Sequence, residues 1–131
     1  MKLLDKAIKQ ATGFHQGQIR KYSGDEYITH PIAVKDILVG VGIIDEDILS
    51  AAVLHDCPED TNMTLNFIAR EYNHNICTLV FYSSSITQLA AIKGLSRALR
   101  KKMDRKHYCN GHIGNWLIKV ADALHNSRGI Y

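Results

Sequence analysis

The fold is decided by the stretch ILSAAVLHDCPEDT at residues 48–61, where an apolar helical pattern leads directly into imidazole and acidic side chains. Its apolar residues recur at helical spacing: Ile48, Leu49, Ala52 and Val53. The acids at 45–47 precede this pattern, where the positive end of a helix dipole favours negative charge. Pro58 should end the helix because it disfavours the α conformation at the residue before it. The stretch therefore predicts a buried helix that presents polar side chains at its carboxyl end.

Helical spacing of apolar residues recurs along the rest of the chain, so we expect an all-α protein, a bundle of six to seven helices. Together with the helix at about 45–57, the expected helices lie at about 4–18, 31–40, 64–73, 76–82, 89–109 and 112–127. The segment ICTLVFY at 76–82 is rich in residues typical of strands, but a lone strand would have no partner. We therefore predict a buried helix there. No repeat or linker divides the chain, which predicts a single domain over 1–131.

Length and composition limit the class of protein. The chain has 131 residues, of which 46% are hydrophobic and 22% charged, which favours one globular domain over disorder or low complexity. No apolar run approaches the roughly 18–20 residues that span a bilayer. The first residues carry Asp5, Lys6 and Lys9 within their apolar pattern, unlike a signal peptide. Three cysteines without a CxxC pair argue against a disulfide framework. We expect a cytoplasmic protein with no membrane partner.

Two histidines and two aspartates stand in otherwise apolar surroundings, where an unpaired charge would be costly. His55 and Asp56 end the apolar pattern described above, Asp122 lies within VADAL, and His30 lies between two apolar stretches. Two imidazoles and two carboxylates could satisfy one another by binding one divalent ion such as Mn, Fe or Zn, and the oxygen ligands favour Mn over Zn. Alternatively, the histidines are hydrogen-bonded core residues and the aspartates are helix caps.

Three further polar residues lie one helical turn from this quartet in sequence. Glu59 and Asp60 follow the His-Asp pair by four residues each, on the turn expected at Pro58. Carboxylates there could orient or deprotonate an attacking water, or they could be a solvent-facing acid pair that ends a helix. Asn126 lies four residues after Asp122 on the same helical face. It could bind a ligand hydroxyl or phosphate, or it could cap the helix.

The run KGLSRALRKKMDRK at 93–106 concentrates positive charge. It holds seven cations and one acid, a net +6 in a chain whose total is +3. Arg97, Arg100 and Lys101 share one helix face at their three- to four-residue spacing and could contact phosphates of a small molecule or a nucleic acid. A solvated helix face is the alternative. No aromatic residue within the run could stack on bases, which argues against a nucleic-acid partner.

Four motifs resemble the HD domain of the RelA/SpoT homologues. They are FHQGQIRK at 14–21, YITHP at 27–31, LHDCPEDT at 54–61 and IKVADALHNSR at 118–128. They stand in the order and spacing of that family and cover nearly the whole chain. The chain is thus similar to HD-type (p)ppGpp hydrolases, in particular to stand-alone alarmone hydrolases such as the metazoan SpoT homologues, which carry no synthetase domain.

The resemblance implies a metal-dependent phosphohydrolase that removes the 3′-pyrophosphate from ppGpp, giving GDP and pyrophosphate. It implies Mn²⁺ as the usual ion, with Fe, Zn or Mg as other divalent candidates. The implied metal ligands are His30, His55, Asp56 and Asp122, and the implied catalytic acid pair is Glu59 and Asp60. The implied substrate contacts are Arg20, Lys21 and Asn126, to which Arg97, Arg100 and Lys101 add positive charge for the phosphates.

Two other functions stay open from the sequence. Similar stand-alone proteins act on other nucleotides, as NADPH 2′-phosphatases or adenosine alarmone hydrolases, and a non-catalytic module that binds a nucleotide or nucleic acid is the third hypothesis. Gln88 stands where many members have Lys, so we expect one substrate cation to be missing. The family's fold usually continues with more helices after the HNxR motif. We therefore expect an open pocket, a homodimer in which a second copy completes the pocket, or weakened activity.

Overall fold

A computed structural model describes residues 1–21 and 23–128 as an all-α fold. Within these ranges the chain forms nine helices and no strand, which confirms the fold class although the helices outnumber the six or seven expected. They are α1 (Lys2–Phe14), α2 (Thr29–Gly40), α3 (Glu46–Leu54), α4 (Cys57–Asp60), α5 (Leu65–Glu71), α6 (His74–Ser83), α7 (Ile86–Leu89), α8 (Arg97–Cys109) and α9 (Ile113–Arg128). None of the helices in these ranges has both the length and the apolar character needed to cross a bilayer. Residues 22 and 129–131 of the predicted domain lie outside the described part.

Helix α3 lies at the centre of the bundle and packs against α1, α2, α6 and α9. Every residue from Leu49 to Leu54 is buried, Ser50 included, whereas Ile48 of the predicted apolar pattern is only partly buried. Burying one large aliphatic side chain contributes roughly 1.5–3 kcal/mol, so this helix is a main source of stability. Its carboxyl end, where the His-Asp pair begins, is therefore held firmly by neighbours on several sides.

The acids before α3 fix two helix starts. Asp45 Oδ1 accepts hydrogen bonds from the N–H groups of Asp47 at 2.9 Å and Ile48 at 3.2 Å. The carboxylate of Glu46 reaches the neighbouring helix and accepts from the N–H groups of Leu3 at 2.9 Å and Leu4 at 3.2 Å. These bonds satisfy N–H groups that have no partner within their own helix. They also hold the start of α1 against the start of α3.

The buried helix predicted at 76–82 is confirmed as part of α6. Asn73 caps its start by accepting from the N–H of Ile76 at 2.8 Å. Asp47 then ties this end of α6 to α3, because its two oxygens accept from the side-chain amides of Asn73 at 3.1 Å and Asn75 at 2.8 Å. A strand former such as Ile76 is thus held in a helix by a cap and by burial.

Three predicted boundaries are wrong, each for a local reason. The first helix ends at Phe14 rather than near residue 18, and the chain turns through Gly17 with a φ of +85° that favours glycine. The helix expected over 89–109 begins only at Arg97, because Gly94 has a φ of +80° and Ser96 caps the new start. The helix expected to reach residue 57 ends at Leu54, and Pro58 lies in the first turn of α4.

Candidate active site

Three helices bring the four predicted metal ligands together at the carboxyl end of α3. His30 lies in the first turn of α2, His55 and Asp56 directly follow α3, and Asp122 lies within α9. His30 Nε2 is 2.6 Å from Asp122 Oδ1 and 3.7 Å from Asp56 Oδ2. His55 Nε2 is 3.3 Å from Asp122 Oδ1 and 3.2 Å from Asp56 Oδ1. Each residue offers one ligand atom, and these atoms all lie within 4.8 Å of one another.

The donor set of this quartet fits a divalent cation. His55 Nδ1 lies 2.6 Å from the carbonyl oxygen of Ala52, so it carries the proton there and leaves Nε2 facing the carboxylates. Burial alone would lower the pKa of His55, but the negative charges of Asp56 and Asp122 raise it to about 9. Burial opposes ionisation of Asp122, yet hydrogen bonds to the two imidazoles hold its pKa well below its usual range. The site therefore favours a positive charge between its carboxylates.

The interpretation of the two aspartates as helix caps is wrong. Asp56 precedes α4, but its side chain makes no capping hydrogen bond. Asp122 lies well inside α9 rather than at its start. The two histidines are indeed buried, with 2% of His30 and 1% of His55 exposed. They are hydrogen-bonded as core histidines would be, and in addition their Nε2 atoms face the carboxylates.

The acid pair lies beside the quartet on the single turn of α4. Carboxylate oxygens of Asp56, Glu59 and Asp60 lie within 4.8 Å of one another. Burial raises the pKa of Glu59 to about 7, and Asp56 adds to the effect by repulsion. Burial and the charge of Asp56 also raise the pKa of Asp60. Glu59 is thus able to exchange a proton near neutral pH, which is what a general base requires.

Two residues beside the quartet were not singled out from the sequence as site residues. Tyr27 donates from its hydroxyl to Asp56 Oδ2 at 2.8 Å, and burial together with the charge of Asp56 raises the pKa of Tyr27 far above its usual range. His125 Nδ1 lies 2.7 Å from His30 Nδ1, so it fixes the orientation of that ring. His125 lies three residues after Asp122 on α9, and this helical spacing is the signal that could have found it. Tyr27 lies in the turn before α2, where no such spacing applies.

The predicted substrate contacts Arg20 and Asn126 lie next to the quartet. Arg20 Nη2 donates to Asn126 Oδ1 at 3.0 Å, and Asn126 Nδ2 is 3.5 Å from Asp122 Oδ1. Lys21 follows Arg20 on the exposed turn. Lys119, which the sequence analysis did not select, places its ammonium 3.4 Å from Asp122 Oδ2. The structure thus groups cations and an amide around one edge of the candidate metal centre.

The predicted cations of the basic run line a cavity of about 630 Å³. Its lining is Ser85, Thr87, Gln88, Ala91, Ile92, Lys93, Arg97, Arg100, Lys101 and Asp104. The side chains of these cations are also exposed to solvent. The solvated helix face and the cavity lining are therefore the same surface. Gln88 Nε2 donates to the carbonyl oxygen of Glu59 at 3.1 Å and to Asp60 Oδ1 at 3.3 Å. In place of the expected substrate cation, this position thus supports the acid pair and connects it to the cavity.

Comparison with known families defines the class to which this fold and site belong. The chain belongs to the HD domain family, whose sequence pattern matches residues 7–130. The matched region includes the whole quartet and the acid pair. The resemblance stated from the four motifs is therefore confirmed.

Particular relatives share the fold and the sequence of this chain. It is 34% identical over 128 residues to a probable GTP pyrophosphokinase of Mycobacterium leprae, covering 98% of this chain and 16% of that protein. It is 33% identical over 129 residues to the human guanosine-3′,5′-bis(diphosphate) 3′-pyrophosphohydrolase MESH1, covering 98% of this chain and 69% of that one. Among solved structures, a metazoan ortholog of SpoT that hydrolyzes ppGpp matches with a TM-score of 0.84 and 30% identity, over 98% of this chain and 70% of that chain.

The relatives differ in how much of their length this chain spans. It covers 15–16% of the first three curated relatives, and about 70% of the human and metazoan proteins. The shared part in every case includes the motifs that build the quartet.

Proposed function

We propose that this protein is a metal-dependent pyrophosphohydrolase that converts ppGpp and water to GDP and pyrophosphate. The observation that carries the proposal is the convergence of the quartet with Glu59 and Asp60, because both groups share Asp56 within 4.8 Å. Candidate metal ligands and a candidate proton acceptor thus meet at one point. The human and metazoan relatives support ppGpp as the substrate, since both are described as acting on it.

The proposed ion is Mn²⁺, held by His30, His55, Asp56 and Asp122. When bound, such an ion lowers the pKa of a coordinated water and takes up charge that develops on a phosphoryl oxygen. A set of two imidazole nitrogens and two carboxylates accepts several divalent ions, and its oxygen ligands favour Mn over Zn. Metal analysis of protein reconstituted in turn with Mn, Fe, Zn and Mg distinguishes them.

The acid pair accepts the proton of the attacking water. Glu59, with a pKa of about 7, takes up and returns a proton near neutral pH. The water oxygen forms a bond to the inner phosphorus of the 3′-pyrophosphate, and the bond from that phosphorus to the ribose O3′ breaks. The proton held by the acid pair then returns to the ribose oxygen. Tyr27, which donates to Asp56 at 2.8 Å, holds that carboxylate in place through the reaction.

Cations near the site neutralise the phosphates of the substrate. Arg20, Lys21 and Asn126 act at the edge next to Asp122, as supported by the Arg20–Asn126 hydrogen bond of 3.0 Å. Arg97, Arg100 and Lys101 act in the basic cavity, which reaches the acid pair through Gln88. A nucleotide with phosphates at two positions requires positive charge at two places, which these two groups provide.

The remaining features are proposed from the sequence and its relatives. Residues 1–131 act as a single HD domain in the cytoplasm, a setting supported by the free thiols of Cys57, Cys77 and Cys109. The homodimer stays a prediction that light scattering after size exclusion would test. The absence of a nucleic-acid partner also stays a prediction. A binding constant for RNA or DNA that falls steeply with salt would contradict it.

The test is anion-exchange chromatography of ppGpp incubated with chelated protein, with and without added Mn²⁺. GDP and pyrophosphate should appear in equal amounts only with the metal. The variant Glu59→Gln should bind Mn²⁺ and give no product, whereas Glu71→Gln on α5 should match the wild type. If wild-type protein shown to contain metal leaves ppGpp intact, the proposed substrate is wrong. Release of phosphate from NADPH would then identify the other nucleotide class.

A further inference from the structure

Asp104 is the one acidic residue in the basic run, and its carboxylate is directed at the start of α7. Its Oδ1 accepts from the N–H of Thr87 at 3.1 Å. Its Oδ2 accepts from the hydroxyls of Ser85 at 2.9 Å and Thr87 at 3.2 Å. Three hydrogen bonds to one carboxylate, with Thr87 buried, fix the segment at 85–88 against α8.

The same segment holds the acid pair from its other side. The N–H of Ser85 donates to Glu59 Oε1, and the side-chain amide of Gln88 donates to Asp60 Oδ1 at 3.3 Å. The Ser85 hydroxyl also caps α7 by accepting from the N–H of Gln88 at 3.2 Å. Ser85 thus contacts Glu59 through its backbone and Asp104 through its side chain. An uninterrupted series of hydrogen bonds runs from Asp104 to both carboxylates.

We infer that Asp104 is a positioning residue that holds Glu59 and Asp60 in their reactive orientation through the segment at 85–88, at the start of α7. The inference rests on the proposed hydrolase function. Without Asp104, the hydroxyls of Ser85 and Thr87 lose their charged acceptor and keep only their contact with each other at 3.2 Å. The segment at 85–88 is then held less firmly against the acid pair. Displacing a catalytic group by about 1 Å can cost up to about 100-fold in rate. Loss of Asp104 should therefore lower kcat and leave metal binding unchanged.

The kinetic test uses variants that separate hydrogen bonding from charge. Asp104→Ala should lower kcat for ppGpp about 10- to 100-fold with the Kd for Mn²⁺ unchanged. Asp104→Asn removes the same charge from the basic cavity but keeps one carbonyl acceptor for Thr87, so it should recover part of kcat. Asp47→Ala is the matched control, since it also removes a carboxylate that accepts two hydrogen bonds, and it should keep kcat. An unchanged kcat in Asp104→Ala, or equal losses in the Ala and Asn variants, would overturn the inference.

A double-mutant cycle tests whether Asp104 acts through Ser85. Ser85→Ala keeps the N–H that binds Glu59 and loses the hydroxyl, which both donates to Asp104 and caps α7. Combining it with Asp104→Ala should therefore cost less in kcat than the product of the two single losses. Fully independent losses would mean that Asp104 acts by another route.

Amide hydrogen exchange measured by NMR gives a readout that does not depend on turnover. Asp104→Ala should speed exchange of the Ser85 N–H about tenfold or more, because its protecting bond to Glu59 is loosened. Asp47→Ala should leave that rate unchanged. If wild-type protein does not hydrolyse ppGpp, the proposed function fails, and the Ser85 exchange rate still decides the positioning role. Unchanged exchange in Asp104→Ala overturns it.

Discussion

Removing the divalent ion should lower the melting temperature of this protein by about 10 °C. The ion would lie among two buried imidazoles and two carboxylates, so it stabilises the folded state alone. A ligand at 100 times its Kd contributes about 2.7 kcal/mol. Unfolding entropy of about 2.1 cal/mol/K per residue amounts to about 0.28 kcal/mol/K for 131 residues. The ratio of these two quantities gives the shift of about 10 °C.

The assay is thermal unfolding followed by circular dichroism, with Mn²⁺ at 100 times its measured Kd or with excess chelator. Asp122→Asn should bind the ion at least about 100-fold more weakly, which leaves about 0.4 kcal/mol and a shift of about 1–2 °C. Asp47→Asn, a matched change distant from the quartet on α3, should keep the full shift. If the wild-type protein binds the ion stoichiometrically and its melting temperature does not change, the buried site is refuted. An Asp122→Asn variant with the full shift would refute this ligand set.

Other variants separate metal binding, chemistry, substrate binding and folding. Glu59→Gln should lower kcat about 10²- to 10⁴-fold with an unchanged Kd for Mn²⁺ by calorimetry, and a weakened Kd would make Glu59 a ligand instead. His125→Ala should weaken Mn²⁺ binding about 10- to 100-fold, because His30 loses the ring that orients it; an unchanged Kd would contradict that role. Arg97→Ala should raise KM for ppGpp and keep kcat, and the opposite pattern would exclude a simple phosphate contact. Asp45→Ala should cost about 1 kcal/mol of stability in urea unfolding and leave kcat intact, since it removes only a helix cap.

The central helix and the grouping of His30, His55, Asp56 and Asp122 could be predicted because buried residues follow a recognisable pattern in the sequence. Six consecutive residues of α3 are buried, and five of them are apolar, so the segment predicts a buried helix directly. His55 and Asp56 then stand out, because polar groups at such depth are costly without partners. His30 and Asp122 stand out for the same reason. Spacing alone did not decide whether these four residues form one site. The order of the motifs, which resembles that of a known family, favoured a single site.

Contacts between distant residues could not be predicted in this way. The bond from Tyr27 to Asp56 joins side chains 29 positions apart, and nothing in local pattern selects that hydroxyl over another. Asp104 is visible in the sequence only as an exception in a basic run. The role of Asp104 depends on the packing of α8 against α7, which brings its carboxylate to the segment at 85–88. Backbone breaks such as Ala91, with a φ of +52°, likewise carry no warning in residue type.

The carboxylates at the end of α3 affect both the stability of the fold and the chemistry proposed for the site. Burial raises the pKa of both Glu59 and Asp60, and repulsion from Asp56 adds to the effect, so the folded site holds closely spaced carboxylates that are costly to ionise together. The proposed divalent ion would offset this repulsion and so would stabilise the fold. Replacing the carboxylates with apolar groups would relieve the same repulsion and would also remove the proposed metal ligands and the proposed base. The fold tolerates the repulsion between these carboxylates because α3 packs against helices on several sides. This packing holds the carboxylates within 4.8 Å of one another.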